Sequence, residues 1–156
     1  MVMIGLVGAC TSAPPGALDG ETTAELSARA AGRACGSDCE RLPVHVRDQL
    51  LYADTVVGDQ EPMPDLTRSA LADVFAIVEF VDMDGADRLM ESGDLGVLMG
   101  VSPLDELADG VVGVDVSMVR GDGEFRTQTM LFMWDGSSWV DATSEDTGVT
   151  VTSAVS

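Results

Sequence analysis

Val112-Gly113-Val114-Asp115-Val116-Ser117-Met118 alternates apolar residues with small or polar ones. Successive side chains of a strand point to opposite faces, so this period of two predicts a half-buried β-strand with the valines and Met118 inward. Gly121-Asp122-Gly123 follows with the residue types of a tight turn and leads into a second strand over 125–134. Asp135-Gly136-Ser137-Ser138 turns the chain again into a strand over 139–143. Val149, Val151, Ser153 and Val155 then alternate as a last strand. Together with the apolar run at 97–101, the second half predicts four or five consecutive antiparallel strands.

The first half reads as helical. Residues 21–34 are rich in Ala, Glu, Arg and Leu and predict a helix ending near Gly36. Residues 42–52 begin as a strand with Val44 and Val46 on one face. Asp65 suits the N-cap of a helix over 66–81. Leu66, Ala70, Val74, Ile77 and Val81 fall on one side of it, with Leu71, Phe75 and Val78 beside them. So wide an apolar stripe predicts deep packing against a sheet. Asp84 is expected to cap a short helix over 85–92, stopped by Gly93, and Ser102-Pro103-Leu104-Asp105 reads as a helix start ended by Gly110. The expected fold class is therefore α+β, a helical N-terminal half packed on a four- to five-stranded antiparallel meander sheet. On element order alone this is compatible with the curved cone of the nuclear-transport-factor-like superfamily or with cystatin-like folds.

Composition narrows the function classes. A chain of 156 residues with 46% hydrophobic residues suffices for one domain and a tail. Acids outnumber bases 27 to 8, for a net charge of −19 and a pI near 4.1, which argues against nucleic acid as a partner because a polyanion would be repelled. No stretch approaches the roughly 18–20 apolar residues of a membrane-spanning helix. All eight basic residues are arginine; lysine and asparagine do not occur, and isoleucine stands only at Ile4 and Ile77. Those three residue types use AT-rich codons, so a GC-rich genome explains the bias. Without lysine there is no Schiff base, amine nucleophile or lysine phosphate cradle.

The N-terminus carries the one family resemblance. Met1 to Ala9 is an apolar run with two glycines, and Val7-Gly8-Ala9-Cys10 resembles a bacterial lipobox: an aliphatic residue, two small residues, then cysteine. No Arg or Lys precedes the run, where the family's pattern has one. The chain as a whole resembles uncharacterised exported lipoproteins of GC-rich bacteria, actinobacteria in particular, a class that implies an address and no activity. The resemblance implies that residues 1–9 are signal-like, that Cys10 is acylated, and that the domain faces outward from the cell membrane or cell surface. Residues 10–23, rich in Pro, Gly and small polar residues, then form a flexible tether, and residues 24–156 a single domain. Cys35 and Cys39 remain. In an oxidising compartment two thiols so close should pair, and their three-residue separation departs from the Cys-x-x-Cys redox spacing.

The remaining motifs carry ordinary readings. Asp82, Asp84 and Asp87 begin like a calcium loop but lack its glycine at position six and glutamate at position twelve. Arg120-Gly121-Asp122 spells an adhesion tripeptide where turn geometry alone wants Gly and Asp. Met130 and Met133 stand on opposite faces of a strand, and Trp134 and Trp139 bracket a turn and can pair across it. No cofactor or metal is expected, nor any catalytic group. The leading expectation is a non-catalytic binding or interaction module, held to the membrane by its lipid and meeting an envelope protein or a small ligand. The alternative is a small enzyme or ligand carrier with a pocket inside a cone-shaped sheet, where Asp48, Asp115, Tyr52 and His45 are the candidate residues.

Overall fold

The computed structural model describes residues 18–51, 61–93 and 96–155. Helix α1 (Gly20–Cys35) starts where the sequence predicts. Asp19 caps it by accepting from the Thr22 backbone N–H at 2.7 Å, a bond that holds the Asp19 carboxyl below its ordinary pKa. Gly36, with φ of 59°, ends it. A short α2 (Asp38–Arg41), β1 (Val44–Arg47) and a small hairpin of β2 (Gln49–Leu50) with β3 (Glu61–Pro62) follow. Next come α3 (Asp65–Val74), β4 (Val78–Val81), α4 (Met83–Ser92) and β5 (Val97–Val101). The chain closes with β6 (Asp105–Ala108), β7 (Val111–Arg120), β8 (Phe125–Trp134), β9 (Trp139–Ala142), α5 (Ser144–Thr147) and β10 (Ala154–Val155).

Among the described residues, eight strands form one sheet in the order β10-β8-β7-β5-β1-β4, with β6 also paired to β7 and β9 to β8. The pairs from β5 to β10 are antiparallel, and the β5–β7, β7–β8 and β8–β9 pairs are those that alternation predicts; the strand expected over Val149–Val155 is reduced to Ala154–Val155. The sheet as a whole is mixed. β1 lies between β4 and β5 and is parallel to both, so the expected helical half resting on an antiparallel meander is overturned. The physical reason lies in residues 75–81, which the apolar stripe had assigned to a helix. Phe75, Ile77, Val78, Phe80 and Val81 are aromatic or β-branched, lose side-chain freedom in a helix, and fit a pleated surface. α3 accordingly stops at Val74, Phe75 is extended, and the chain crosses into β4 beside β1. A strand supplied by the first half also separates this sheet from the all-antiparallel cone.

Two smaller expectations are corrected as well. Asp82 rather than Asp84 caps α4, accepting from the Gly85 N–H at 2.7 Å. Ser102-Pro103 starts no helix: residues 105–108 pair with β7 across an Asp109-Gly110 turn, with Gly110 at φ of 72°.

Pleat and register divide the sheet into two faces. On the inner face, Val44, Val46, Val97, Met99, Val101, Val112, Val114, Val116, Met118 and Phe132 are buried against Leu26, Ala30 and Ala31 of α1 and Leu71 of α3. On the outer face, α4 covers a small cluster of Val81, Leu98 and Ala86. α1 is also tied down electrostatically. Arg29 pairs with Asp141 at 2.5 Å and donates to the Trp139 carbonyl at 3.1 Å, and Arg33 reaches the other oxygen of Asp141 at 3.5 Å. Both guanidinium groups lie over the Phe132 ring, 5.1 and 5.7 Å from its centroid.

Candidate functional site

Cys10 and Tyr52 lie outside the described residues. Cys35 and Cys39 form a disulfide, with Cα atoms 5.7 Å apart, which fastens the end of α1 to α2; both are buried. The loop it closes is short, so the chain-entropy model gives it only about 2 kcal/mol. Replacing both cysteines by alanine is expected to lower stability by about that amount and leave the fold intact. Urea denaturation checks the first point. Intact mass after alkylation without reductant should add nothing at these two positions in the wild-type chain.

His45 is buried on β1 facing outward, with Leu98 opposite on one side and Glu79 on the other. Its Nδ1 stands 3.6 Å from Glu79 Oε2, beyond hydrogen-bond reach, and has no hydrogen-bond partner among the described residues. Asp48 sits just past β1, where its N–H donates to the Val81 carbonyl and its own carbonyl accepts from Met63. Asp115 belongs to β7 on the same outer face, but register sets it far from His45. His45 stands opposite Leu98, and Leu98 opposite Val119, four residues along β7 from Asp115. Two strand spacings and four residue rises amount to about 16 Å. The structure therefore does not bring His45 and Asp115 into one pocket.

Asp115 instead belongs to a polar ladder. Thr129, directly opposite on β8, donates to its carboxylate at 2.5 Å. Its N–H donates to Ser102 Oγ at 2.8 Å, and the Ser102 N–H returns a bond to the Asp115 carbonyl. Ser117 and Thr127 continue the ladder at 3.2 Å. A cleft of about 220 Å³ opens beside Asp115 between Asp105, Thr129 and the 149–151 segment. These partners are set by strand register, which residue types alone do not reveal.

A larger recess lies on the helical side. α1 and α3 run in the same direction, with Gly20 against Leu66 and Gly32 against Val74, and between them is a groove of about 420 Å³. Its floor is Ala24, Ala28 and Ala70, its α3 wall is Leu66 and Val74, and Glu21, Glu25 and Asp73 stand at its rim. Leu66 is 52% exposed and Val74 45%, while Ile77 just beyond α3 is 69% exposed. Of the stripe that the sequence assigns to the core, Leu66, Val74 and Ile77 are thus left about half exposed or more, while Ala70, Leu71 and Phe75 pack inward. Leu71 and Thr67 are the residues α3 buries. A signal for this surface existed in the spacing of Leu66, Ala70 and Val74, but periodicity marks a face without saying what covers it.

The other motifs take structural places. Arg120 pairs with Asp38 at 2.5 Å, and Asp122 accepts from the Glu124 N–H within its turn, so both ends of the adhesion-like tripeptide are engaged. Trp134 and Trp139 pair edge to face across their turn at 5.4 Å. Asp135 accepts from Ser138 and Ser137, bonds that depress its carboxyl pKa and close that turn. Among the described residues no group of three or more His, Cys, Asp or Glu is placed to hold a metal ion, and no helix is long and apolar enough to cross a membrane. Compared with known proteins, the chain matches no family model, no curated protein and no solved structure.

Proposed function

We propose that this chain is an envelope lipoprotein, anchored through Cys10, whose folded domain is a non-catalytic binding module. The observation that carries the binding part is the groove between α1 and α3, where a helix presents its apolar stripe to solvent. Exposed apolar surface rimmed by charge is a mark of interaction sites. The polar side chains named above support the same reading from the other direction. Asp115 is held by Thr129 and Ser102 and lies far from His45, while the inner face of the sheet is filled with hydrocarbon. Anchoring rests on the resemblance of Val7-Gly8-Ala9-Cys10 to a lipobox. Multiple acylation makes such an anchor firm, at about 0.8 kcal/mol per buried methylene.

Metabolic labelling with a palmitate analogue tests the anchor: wild type is expected to carry label and Cys10→Ala none, and equal label on both would overturn it. Chemical cross-linking in the native envelope tests the module. A discrete higher-mass species containing this chain is expected, and a chain recovered only as free monomer would sink the binding reading.

A further inference from the structure

We propose that the groove between α1 and α3 receives an amphipathic, basic α-helix of a partner protein. This rests on the binding-module reading and names the chemistry of its partner. Leu66, Ala70 and Val74 are spaced by four residues along α3, so they form one continuous ridge; it rests against Gly20 and Gly32 of α1 on one side and leaves Leu66 and Val74 about half exposed on the other. Ala24 and Ala28 are small and buried, so α1 adds no bulky side chain at the groove floor. The result is two walls of a three-helix layer with the third helix missing.

The occupant's backbone follows from the walls. Both are helices whose interior N–H and C=O groups are already bonded within their own turns, so the groove presents no row of free main-chain partners. An extended peptide buried there would leave its own backbone groups unsatisfied. A helix brings its backbone bonds with it and offers only side chains.

The occupant's charge follows from the rim. Glu21, Glu25 and Asp73 are exposed around the groove. Of the two nearby arginines, Arg29 lines the groove 3.7 Å from Glu25 but is shared with Asp141 and the Phe132 ring, and Arg68 lies over the Phe80 ring at 5.1 Å, so the rim carries three carboxylates against one guanidinium. What remains at the mouth is predominantly negative, on a chain of net charge −19. A second copy would place acid against acid, and an anionic membrane surface would be repelled. Lysine or arginine flanking an apolar stripe meets this rim, with charge setting specificity and apolar contact supplying affinity.

The test uses the full chain and two synthetic probes, each an amphipathic peptide of about five helical turns with leucine at i, i+3, i+4 and i+7. One carries lysines on the flanks of the apolar stripe, the other glutamates. By fluorescence anisotropy at about 0.15 M salt, the lysine peptide is expected to bind at least about tenfold more tightly than the glutamate peptide. Leu66→Asp and Val74→Asp separate the groove from nonspecific attraction. Each adds negative charge, which would strengthen a purely Coulombic association, yet each is expected to weaken lysine-peptide binding by about tenfold. Glu21→Gln with Asp73→Asn should narrow the lysine preference several-fold. Glu21 and Asp73 are exposed, so their double variant should keep the wild-type melting temperature, while Leu66 and Val74 are about half exposed and circular dichroism should show their variants still folded.

Undiminished binding in the aspartate variants, equal binding of the two peptides, or no binding of either would overturn the proposal. A wild-type dimer dissolved by Leu66→Asp would assign the groove to a second copy, and adsorption to phosphatidylglycerol vesicles lost in the same variant would assign it to lipid. If the cross-linked envelope species forms equally well with Leu66→Asp, the binding module stands and the groove assignment falls. If wild type forms none, it is the module that falls.

Discussion

Phe132→Ala is expected to lower the free energy of unfolding by about 4 kcal/mol, a large part of the 5–15 kcal/mol that a domain of this kind possesses. Phe132 is completely buried at the centre of the inner face, opposite Val112 on β7. Its other face carries the Arg29 and Arg33 guanidinium groups. Truncation therefore opens a cavity and removes the ring over which both cations of α1 are held, each such contact being worth about 0.5–2 kcal/mol. Phe132→Leu separates the two contributions. It fills most of the volume but has no ring, and should lose about 1–2 kcal/mol. Urea denaturation followed by the fluorescence of Trp134 and Trp139 provides the measurement, and a loss below about 1 kcal/mol for the alanine variant would show that Phe132 is not the centre of this core.

Gly96→Ala is expected to cost about 3 kcal/mol or more, from a single added methyl. Gly96 has φ of 51°, and a β-carbon there would stand 2.4 Å from the Pro43 carbonyl oxygen. That oxygen accepts from the Val97 N–H at 3.0 Å and pins the start of β5 beside β1. Because the obstacle is backbone, relief requires one of two central parallel strands to move. Gly93 is the natural control. Its φ is 76°, but nothing among the described residues lies within 4 Å of an added β-carbon, so Gly93→Ala should cost only the left-handed penalty of about 1–2 kcal/mol. Hydrogen exchange should show lost protection in β1 and β5 for Gly96→Ala and none there for Gly93→Ala. Equal effects of the two substitutions would mean that the Pro43 contact is not decisive.

Local chemistry made much of this molecule legible. The extent of α1, its Gly36 stop, the β7–β8 hairpin, the facing tryptophans and the Cys35–Cys39 disulfide all depend on residues near one another in sequence. Each is governed by a period, a turn residue or a short loop, so neighbouring residue types suffice to set it. The candidate site was less legible. Asp115 was singled out from the sequence, but its partners Thr129 and Ser102 are fourteen and thirteen residues away and meet it only through strand register.

Residues 75–81 mark where sequence reasoning stops. As a pattern they extend the stripe of Leu66, Ala70 and Val74 by about two more helical turns, and as individual residues they favour a strand. The place beside β1 settled the choice: as β4, this segment completes a parallel pair with Val44–Arg47 and buries Val81 beneath α4. The part of the stripe left on α3, Leu66 and Val74, rests against α1 and stays about half exposed. Residue types alone determined the α+β class, the acidic charge, the extent of α1 and the β7–β8 and β8–β9 hairpins, because these follow from local propensity and from charge, which adds along the chain. Only tertiary structure decided that β1 lies between β4 and β5 and which face of α3 is covered, because burial is a competition among distant segments for one sheet, and no single segment carries its outcome.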